Sequence, residues 1–576
     1  MSNRPDYMFP TSKKEVEALG WDYIDVILFS GDAFIDHPSF GTAVIARWLQ
    51  KHGYRVAVVP QPNWRDDLRD FKKLGVPRLF FALNSGAMDS MVNHYTAGKR
   101  LRHDDAYTPD GKAGQRPDYA VTVYTKILKQ LYPDVPVVIG GIEASLRRVT
   151  HYDYWQDRLF PSILVSSGAD WLIYGMGERP ILALTRGIEA GWSAHQLERI
   201  PQIAFYRDGQ PKERPGVLML HSFEESLASK KAFAENFHWI ETHANMMHPD
   251  TIVERVGKGY VQINPPYPPA TQEEMDSFWD MPFTKLPHPR YKGKRIPAYD
   301  MIKFSINTHR GCFGGCNFCT IAAHQGKFIQ SRSEASILKE VGDLRNLPDF
   351  AGNISDLGAP TAKMYGMHGK DPKLCDICRR KSCLFPAPCR NMDRSHARLL
   401  DLYRKVDSIK GIRHSYIGSG IRYDLFLDEN GFVDKTSKPY LKTLVLDHTS
   451  GRLKVAPEHT EDKVLYYMAK PSFRLFERLR TEFDKINREA GRHSGIVPYF
   501  ISSHPGCTMH DMEKLASHPA LKGLYMEQVQ DFTPTPMTTS SVMFYSGLDP
   551  RTLKPVFTER DPERKKMQKS WFFRRK

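Results

Sequence analysis

Short apolar runs alternate with amphipathic helical patterns along the first third of the chain. The runs are YIDVILFS (23–30), RVAVVP (55–60), RLFFAL (78–83), PVVIGG (136–141) and DWLIYG (170–175). Their β-branched and aromatic content is typical of parallel strands buried on both faces. TAVIARWLQKHG and YAVTVYTKILKQL, which lie between them, carry helical spacing. This alternation predicts a doubly wound α/β domain over residues 1–200.

A second alternating series begins near residue 296. Its six candidate strands are KFSIN (303–307), GNISDL (352–357), IRHSYIGS (412–419), RLKVA (452–456), GIVPYFISS (495–503) and EQVQDF (527–532). The clearest helix has Phe473, Phe476, Leu479, Phe483 and Ile486 on one face. Six βα units predict a partial (β/α)6 barrel over residues 296–550, with functional groups at the carboxyl ends of the strands.

The stretch between the two series follows neither pattern. Residues 201–295 contain NPPYPPATQEEMDSFWDMPFTKLPHPRYKGKRIP, which predicts a proline-rich connector. The end of the chain, residues 551–576, is predicted to be a basic tail. At 576 residues the chain exceeds what one hydrophobic core holds, so more than one domain is expected.

Composition and charge narrow the class of protein. Hydrophobic residues make up 41% and charged residues 26% of the chain, as in ordinary globular domains. No run of 18 apolar residues and no apolar signal-peptide core occurs, so we expect a cytoplasmic protein without a membrane helix. The net charge of +15 fits either a polyanionic partner such as RNA or a solvated basic surface.

Three cysteines follow the first barrel strand directly. Cys312, Cys316 and Cys319 have the spacing C-x3-C-x2-C in THRGCFGGCNFCTIAAHQGKF (308–328). Thiolates suit iron–sulfur clusters and zinc. Three thiolates leave a tetrahedral zinc site one ligand short, whereas a four-iron cluster held by three cysteines keeps one iron open. The glycines of this loop, which let the backbone wrap closely round a bulky cluster, are Gly311, Gly314 and Gly315.

This spacing, with Phe318 as the aromatic residue before the third cysteine, resembles the signature of the radical S-adenosylmethionine (SAM) superfamily. The resemblance implies a [4Fe–4S] cluster on the three cysteines, with SAM on the open iron and its adenine near the Phe318 backbone. It also implies a (β/α) barrel and an electron donor such as flavodoxin or ferredoxin. Structural zinc or unligated thiols are the alternatives.

Segments at other strand ends resemble the same superfamily. In GSGIRYD, Arg422 is a candidate contact to the SAM carboxylate, with Ser419 nearby, or else an arginine paired to Asp424. In KVAPEHT, Glu458 is a candidate contact to the SAM ribose. Cys507, in SSHPGCT, is either a packed residue or a hydrogen-atom donor or acceptor. DFTPTPMTT resembles the Thr-Pro-x-Pro stretch of tRNA-modifying members.

The first domain resembles the cobalamin-binding domain of one radical SAM branch, through GGIEASL and GADWLIYGMGERPILAL. The D-x-H-x-x-G motif of that branch is not present as such, because Asp36 and His37 are adjacent, so cobalamin stays open. From end to end the chain resembles the YgiQ-type family of radical SAM proteins, including GDAFIDHPSFGTAVIARWL and DLGAPTAKMYG. That family has no assigned reaction, so the resemblance implies no substrate.

A second cysteine set lies in an insertion at residues 370–392, after the second barrel strand. Its members are Cys375, Cys378, Cys383 and Cys389, spaced C-x2-C-x4-C-x5-C. Four thiolates are sufficient for a structural zinc site, and an auxiliary iron–sulfur cluster is the rival interpretation. Arg379, Arg380 and Lys381 would stabilise an anionic centre of either kind.

Two classes of function compete. The first is a radical SAM enzyme of unassigned reaction, whose substrate is unknown and for which RNA is one candidate. The second is a non-catalytic iron–sulfur redox sensor or nucleic-acid-binding protein. The open iron and the full set of strand-end segments favour the enzyme.

Overall fold

The computed structural model describes residues 8–211, 214–359, 363–524, 526 and 528–573. The chain forms two compact units. The first comprises the chain up to residue 232, together with 249–268 and 277–303, and the second comprises 233–248, 269–276 and everything from residue 304 onward.

Nine strands make up the large sheet of the first unit. They are β1 (Val26–Ser30), β2 (Val56–Pro60), β3 (Phe80–Asn84), β4 (Val137–Ile139), β5 (Trp171–Ile173), β6 (Ile203–Asp208), β7 (Val217–Met219), β8 (Thr251–Val256) and β9 (Gly259–Ile263). The first five are parallel in the order β2-β1-β3-β4-β5. This order is that of a doubly wound domain, and the prediction from the apolar runs is confirmed.

The helices of the first unit follow the amphipathic patterns between those strands. They are Lys13–Ala18, Gly41–Lys51, Arg69–Lys72, Ser90–His94, Ala120–Leu131, Gly141–Leu146, Ile163–Ser167, Glu178–Glu189, Ala194–Leu197, Phe223–Ala228 and Pro297–Ile302. Two further short strands, His151–Asp153 and Arg158–Phe160, form an antiparallel pair. Both helices predicted from their apolar spacing are present.

Residues 201–295 supply β6 to β9 rather than a connector. These strands extend the sheet in the order β5-β6-β9-β8-β7, with β6 antiparallel to β5. Their sequence signal is weak because exposed residues interrupt the buried positions, for example at Arg255 in β8. The prolines that suggested a connector lie after β9, around the helix Gln272–Trp279.

Strands lie at all six positions predicted for the second unit. They are β10 (Ser305–Asn307), β11 (Asn353–Ile354), β12 (Asp356–Gly358), β13 (His414–Ser415), β14 (Arg452–Glu458), β15 (Gly495–Ser502) and β16 (Gln528–Asp531). The second position holds two short strands, β11 and β12. The parallel pairs are β10 with β12, β11 with β13, β14 with β15 and β15 with β16, and a parallel bridge from Ile421 to Val455 joins the segment after β13 to β14. This series confirms the partial (β/α)6 barrel. Glu527, the first residue of the sixth predicted strand, lies outside the described residues.

Helices cover the barrel strands in the second unit. They are Ile321–Gln325, Glu334–Leu344, Pro372–Asp376, Ala397–Asp407, Ser437–Leu446, Asp462–Met468, Arg474–Glu489, Met509–Ser517, Thr539–Ser546 and Pro562–Ser570, together with most of Lys230–Ala244. The helix Arg474–Glu489 buries its predicted apolar face, for example Phe476 and Leu479. In the described residues no helix combines the length and apolar composition that crossing a bilayer requires.

The predicted basic tail is part of the second unit as far as residue 573. The helix Pro562–Ser570 is followed by Phe572, whose buried ring lies 5.8 Å from the ring of Phe500. Lys565 is also buried and donates a hydrogen bond of 3.2 Å to the carbonyl of Phe532. The aromatic residues of this segment therefore indicated its packing better than its positive charge did. Residues 574–576 of that prediction lie outside the described residues.

A buried ion pair fixes the segment after β1 in the first unit. The Arg47 Nε donates to the Asp36 Oδ1 over 3.0 Å, and the Thr284 amide donates to the Asp36 Oδ2 over 2.8 Å. Asp36 is 0% and Arg47 2% exposed. Since a buried carboxylate without a partner is costly, removing one member of this pair should destabilise the unit.

We expect Arg47→Ala to lower the free energy of unfolding by about 3–5 kcal/mol, because it leaves the Asp36 carboxylate buried without its partner. Urea unfolding followed by tryptophan fluorescence would measure this, since seven of the nine tryptophans belong to the first unit. Lys13→Ala, which removes an exposed pair with Glu17, is the control and should cost under about 1 kcal/mol. Equal costs for the two variants would contradict the prediction.

Candidate metal centre

The first cysteine loop projects from the carboxyl end of β10, as the sequence predicted. A short antiparallel pair, His309–Arg310 with Gln330–Ser331, closes its base. The amide of Cys312 donates to the carbonyl of Gly326 over 3.0 Å. The loop is therefore held at its neck by backbone hydrogen bonds, while the three thiols lie beyond it.

Each of the three loop glycines is required for a steric reason. Gly311 has φ +92°, and a Cβ there would lie 2.2 Å from the carbonyl oxygen of Phe328. Gly315 has φ +64°, and its Cβ would lie 2.6 Å from the Cβ of Ser382. A Cβ on Gly314 would lie 2.2 Å from the Arg422 Nη1 and 3.3 Å from the Cys312 Sγ. The loop therefore leaves no room for side chains where the thiols and the guanidinium meet.

The three thiols lie close enough to influence one another. Burial raises the pKa of Cys312, and it raises that of Cys319 to about 12, with neighbouring thiols adding to both shifts. Such thiols need a bound cation to hold them as thiolates. Within the described part of the chain no three His, Cys, Asp or Glu side chains are placed to hold a single metal ion. Three mutually interacting soft donors in a glycine-lined loop fit a larger cluster.

The guanidinium of Arg422 lies beside this loop and is buried. Its Nη1 donates to the Cys316 Sγ over 3.2 Å. Its Nε and Nη2 each donate to the Asp424 carboxylate over 2.8 Å. Of the two roles predicted for Arg422, the pairing with Asp424 is present, but it is a buried pair that also contacts a cysteine. A contact between Arg422 and the SAM carboxylate stays a prediction.

Glu458 ends β14 in an unusual backbone conformation. Its φ is +69°, which is rare outside glycine, and one extra residue between Val455 and Glu458 bulges the strand against β15. Burial raises the pKa of Glu458, and Lys470, whose Nζ lies 3.7 Å away, opposes that rise. The carboxyl lies near enough to Cys319 to interact with it electrostatically. The bulge thus lies where the Glu458 carboxyl comes within electrostatic range of the cysteine loop.

Ser419 belongs to a hydrogen-bonded group at the ends of the second and third strands. Its Oγ lies 2.8 Å from the Lys363 Nζ and 3.1 Å from the Asp356 Oδ1. Lys363 is only 1% exposed, and burial lowers its pKa against the opposing charge of Asp356. Sequence reasoning missed Lys363, for which Gly358 makes room, since a Cβ there would lie 2.0 Å from the amine. Residues 360–362, just before it, lie outside the described residues.

Phe318 is partly buried and contacts a histidine of the fifth strand end. Its ring lies edge-on to that of His504, with centroids 6.1 Å apart. His504 is fully buried, its Nε2 lies 2.6 Å from the Ser540 Oγ, and burial lowers its pKa to about 3. The neutral imidazole therefore packs against the Phe318 ring. The role of the Phe318 backbone near SAM stays a prediction.

Cys507 is a packed residue of the core. It is 0% exposed, and its Sγ lies 3.5 Å from both the His459 Nε2 and the Gln568 Oε1. Burial raises the pKa of the thiol. The structure therefore encloses this thiol among its neighbours, and hydrogen-atom transfer by Cys507 stays a prediction.

The second cysteine set lies in a loop closed at its neck by a bridge between Gly369 and Met392. The Asn391 Nδ2 lies 3.4 Å from the Cys375 Sγ, and the Lys327 Nζ lies 3.6 Å from the Cys378 Sγ. In this loop, too, the described residues hold no set of three side chains placed for a single ion. A second metal at these four cysteines, zinc or iron, stays a prediction.

Comparisons with known proteins agree with these observations. A family model described as Radical SAM N-terminal matches residues 8–305, and a domain of unknown function (DUF3362) matches residues 527–575. A UPF0313 protein of Bacteroides thetaiotaomicron is 56% identical over 98% of this chain and 93% of its own length. A UPF0313 protein of Geobacter sulfurreducens is 46% identical over 97% of this chain and 91% of its own length.

Among solved structures, the chain is similar to the radical S-adenosylmethionine methyltransferase TsrM from Kitasatospora setae, solved with cobalamin and a [4Fe–4S] cluster bound. The TM-score is 0.49 at 13% identity, covering 91% of this chain and 74% of that one. The cobalamin-dependent S-adenosylmethionine radical enzyme OxsB gives a TM-score of 0.48 at 11% identity, covering 91% of this chain and 57% of that one.

We expect Gly314→Ala to lower the iron bound after anaerobic reconstitution, because its methyl group would displace the Arg422 guanidinium from the Cys316 thiol. Iron and sulfide analysis would measure the loss. Gly495→Ala is the control, since a Cβ there meets nothing within 4 Å. Equal iron in Gly314→Ala and the unchanged protein would show that this close contact does not matter for the centre.

Proposed function

The chain belongs to the UPF0313 family and is a radical SAM enzyme of unassigned reaction, and we propose that Cys312, Cys316 and Cys319 hold its [4Fe–4S] cluster. When bound, the cluster and SAM supply one-electron reductive cleavage of the sulfonium, followed by hydrogen abstraction from a substrate. The observation that carries the proposal is the glycine-lined loop, in which three interacting thiols meet a buried arginine.

The residues around the loop have separate roles in this proposal. Arg422 donates to the Cys316 sulfur and balances the negative charge of the thiolates, while Asp424 holds the guanidinium in place. Glu458 and Ser419 lie at neighbouring strand ends, where they would bind the polar groups of SAM. Phe318, whose ring contacts that of His504, would lie beside the SAM adenine, largely through its backbone.

Three narrower statements belong to the same proposal. The four cysteines of the second set would hold a second metal. The cytoplasm is the proposed location, since all eight cysteines are free thiols and seven belong to the two ligand sets. Cobalamin stays open in the proposal, because Asp36 and His37 are adjacent rather than spaced as D-x-H, while the His37 Nδ1 accepts the Ser39 amide over 3.1 Å.

We expect the variant Cys312→Ala/Cys316→Ala/Cys319→Ala to lose about four irons per chain and all SAM cleavage, because the cluster loses its ligands. The unchanged protein, reconstituted without oxygen and given dithionite and SAM, should release 5′-deoxyadenosine. Cys507→Ala, which removes the one cysteine outside both sets, is the control for iron content. An intact cluster that never cleaves SAM would instead favour the non-catalytic redox sensor.

An RNA substrate is the narrower form supported by the net charge of +15. We expect filter binding of tRNA to weaken steeply as salt rises, because phosphate contacts release counterions. An acidic protein of similar size is the control for non-specific retention. Weak binding that does not depend on salt would count against RNA and leave the cluster proposal unaffected.

A further inference from the structure

The two cysteine loops are in direct contact. The Cys383 amide donates to the Phe313 carbonyl over 3.0 Å, and the Ser382 Oγ donates to the Gly314 carbonyl over 2.8 Å. Gly315 packs against Ser382 so closely that a Cβ would not fit. A ligand of the second set is therefore joined by one peptide hydrogen bond to the residue next to Cys312.

A lysine side chain strengthens the same junction. The Lys381 Nζ donates to the Asn317 Oδ1 and to the Thr539 Oγ1, each over 2.6 Å, and also pairs with Glu241. Asn317 lies between Cys316 and Phe318 and is buried. The second loop thus contacts the first loop on both sides of Cys316.

A buried ammonium group lies beside the second set. Lys327 is 3% exposed, its Nζ lies 3.6 Å from the Cys378 Sγ, and it donates to the carbonyl of Arg380. In the portion of the chain that the structure describes, it forms no ion pair with a carboxylate. Because a buried charge needs a compensating charge, the thiolates of the second set are its expected partners.

The cysteines of the second set are joined in two pairs, because the Cys378 amide donates to the Cys375 carbonyl over 3.2 Å and the Cys389 amide to the Cys383 carbonyl over 2.7 Å. Cys375 interacts with Cys378 and Cys389, and Cys383 interacts with the same two thiols. The contact from the Asn391 amide to the Cys375 sulfur is of the N–H···S kind that tunes iron–sulfur centres. Four clustered thiols, a buried cation and an amide donor together describe the surroundings of an anionic thiolate centre.

The outer surface of this loop is basic and apolar; we call it the basic face. Its apolar centre consists of Leu374 and Ile377, which are 53% and 78% exposed. Residues 369–391 contain six Lys and Arg against two Asp. The exposed cations among them are Lys370, Lys373, Arg379, Arg380 and Arg390. An exposed apolar pair in a segment with an excess of exposed cations matches an acidic protein surface.

We propose that Cys375, Cys378, Cys383 and Cys389 hold a second iron–sulfur cluster, which passes electrons from an acidic donor protein docked on the basic face to the cluster at Cys312. The proposal rests on the proposed function. A reduced low-potential flavin or iron–sulfur protein loses one electron to the second cluster, which is reoxidised as it reduces the first cluster by one electron. No bond forms or breaks in these two transfers, and no proton moves. Zinc in this position would carry no electron.

Metal analysis tests the second cluster. Anaerobically reconstituted protein should contain about eight irons per chain, and Cys375→Ala/Cys378→Ala about four, with the EPR signal that SAM perturbs still present. The reciprocal variant, which lacks Cys312, Cys316 and Cys319, should keep the other four. About four irons and one zinc in the unchanged protein would overturn the proposal, while leaving the first cluster in place.

Electron delivery tests the relay. SAM cleavage is measured once with dithionite and once with an acidic flavodoxin kept reduced by its reductase. Lys370→Glu/Lys373→Glu should lower the ratio of the flavodoxin-supported rate to the dithionite-supported rate by about tenfold, because like charges hinder docking. Lys438→Glu/Lys442→Glu, on the exposed face of the helix Ser437–Leu446, is the matched control and should leave the ratio unchanged.

A ratio unchanged by Lys370→Glu/Lys373→Glu would overturn the docking part of the proposal. Raising salt from about 0.05 to about 0.5 M should lower the same ratio in the unchanged protein, which tests docking without any substitution. If the unchanged protein does not cleave SAM with dithionite, that result rejects the proposed function rather than the relay.

Discussion

The position of one guanidinium orders the first cysteine loop. Arg422 reaches the Cys316 sulfur only because Gly314 has no side chain, and it stays there because Asp424 holds two of its nitrogens. Replacing Gly314, Arg422 or Asp424 would leave a buried charge beside the thiols without its partner. The glycines, the arginine and the carboxylate are therefore one arrangement, drawn from two strand ends more than a hundred residues apart.

Much of the fold was predictable because buried parallel strands leave a strong local signal. The apolar runs at β1 to β5 and the face of the helix Arg474–Glu489 were identified correctly, and so were the six strand positions of the barrel. Strands β6 to β9 were missed because exposed residues interrupt their buried positions and prolines follow them. Hydrophobic periodicity follows the burial of side chains, so it does not identify a strand that is only partly buried.

The candidate site was predictable only where its residues are close in sequence. Cys312, Cys316 and Cys319 lie within one loop, so their spacing was sufficient to group them. Lys363, Lys327 and the contacts of residues 381–383 with the first loop were not predictable, because they depend on which strand ends meet in space. A lysine that becomes buried has the same local sequence signal as one that stays in water.

The contact between Ser382 and Gly315 has a consequence for protein engineering. The insertion does not form an independent, removable cassette, since its backbone and hydroxyl groups satisfy carbonyls of the neighbouring loop. Grafting the first cysteine loop alone onto another barrel would leave its carbonyls without these donors and open a gap beside its thiols. A transplant that preserves the geometry would have to carry both loops together.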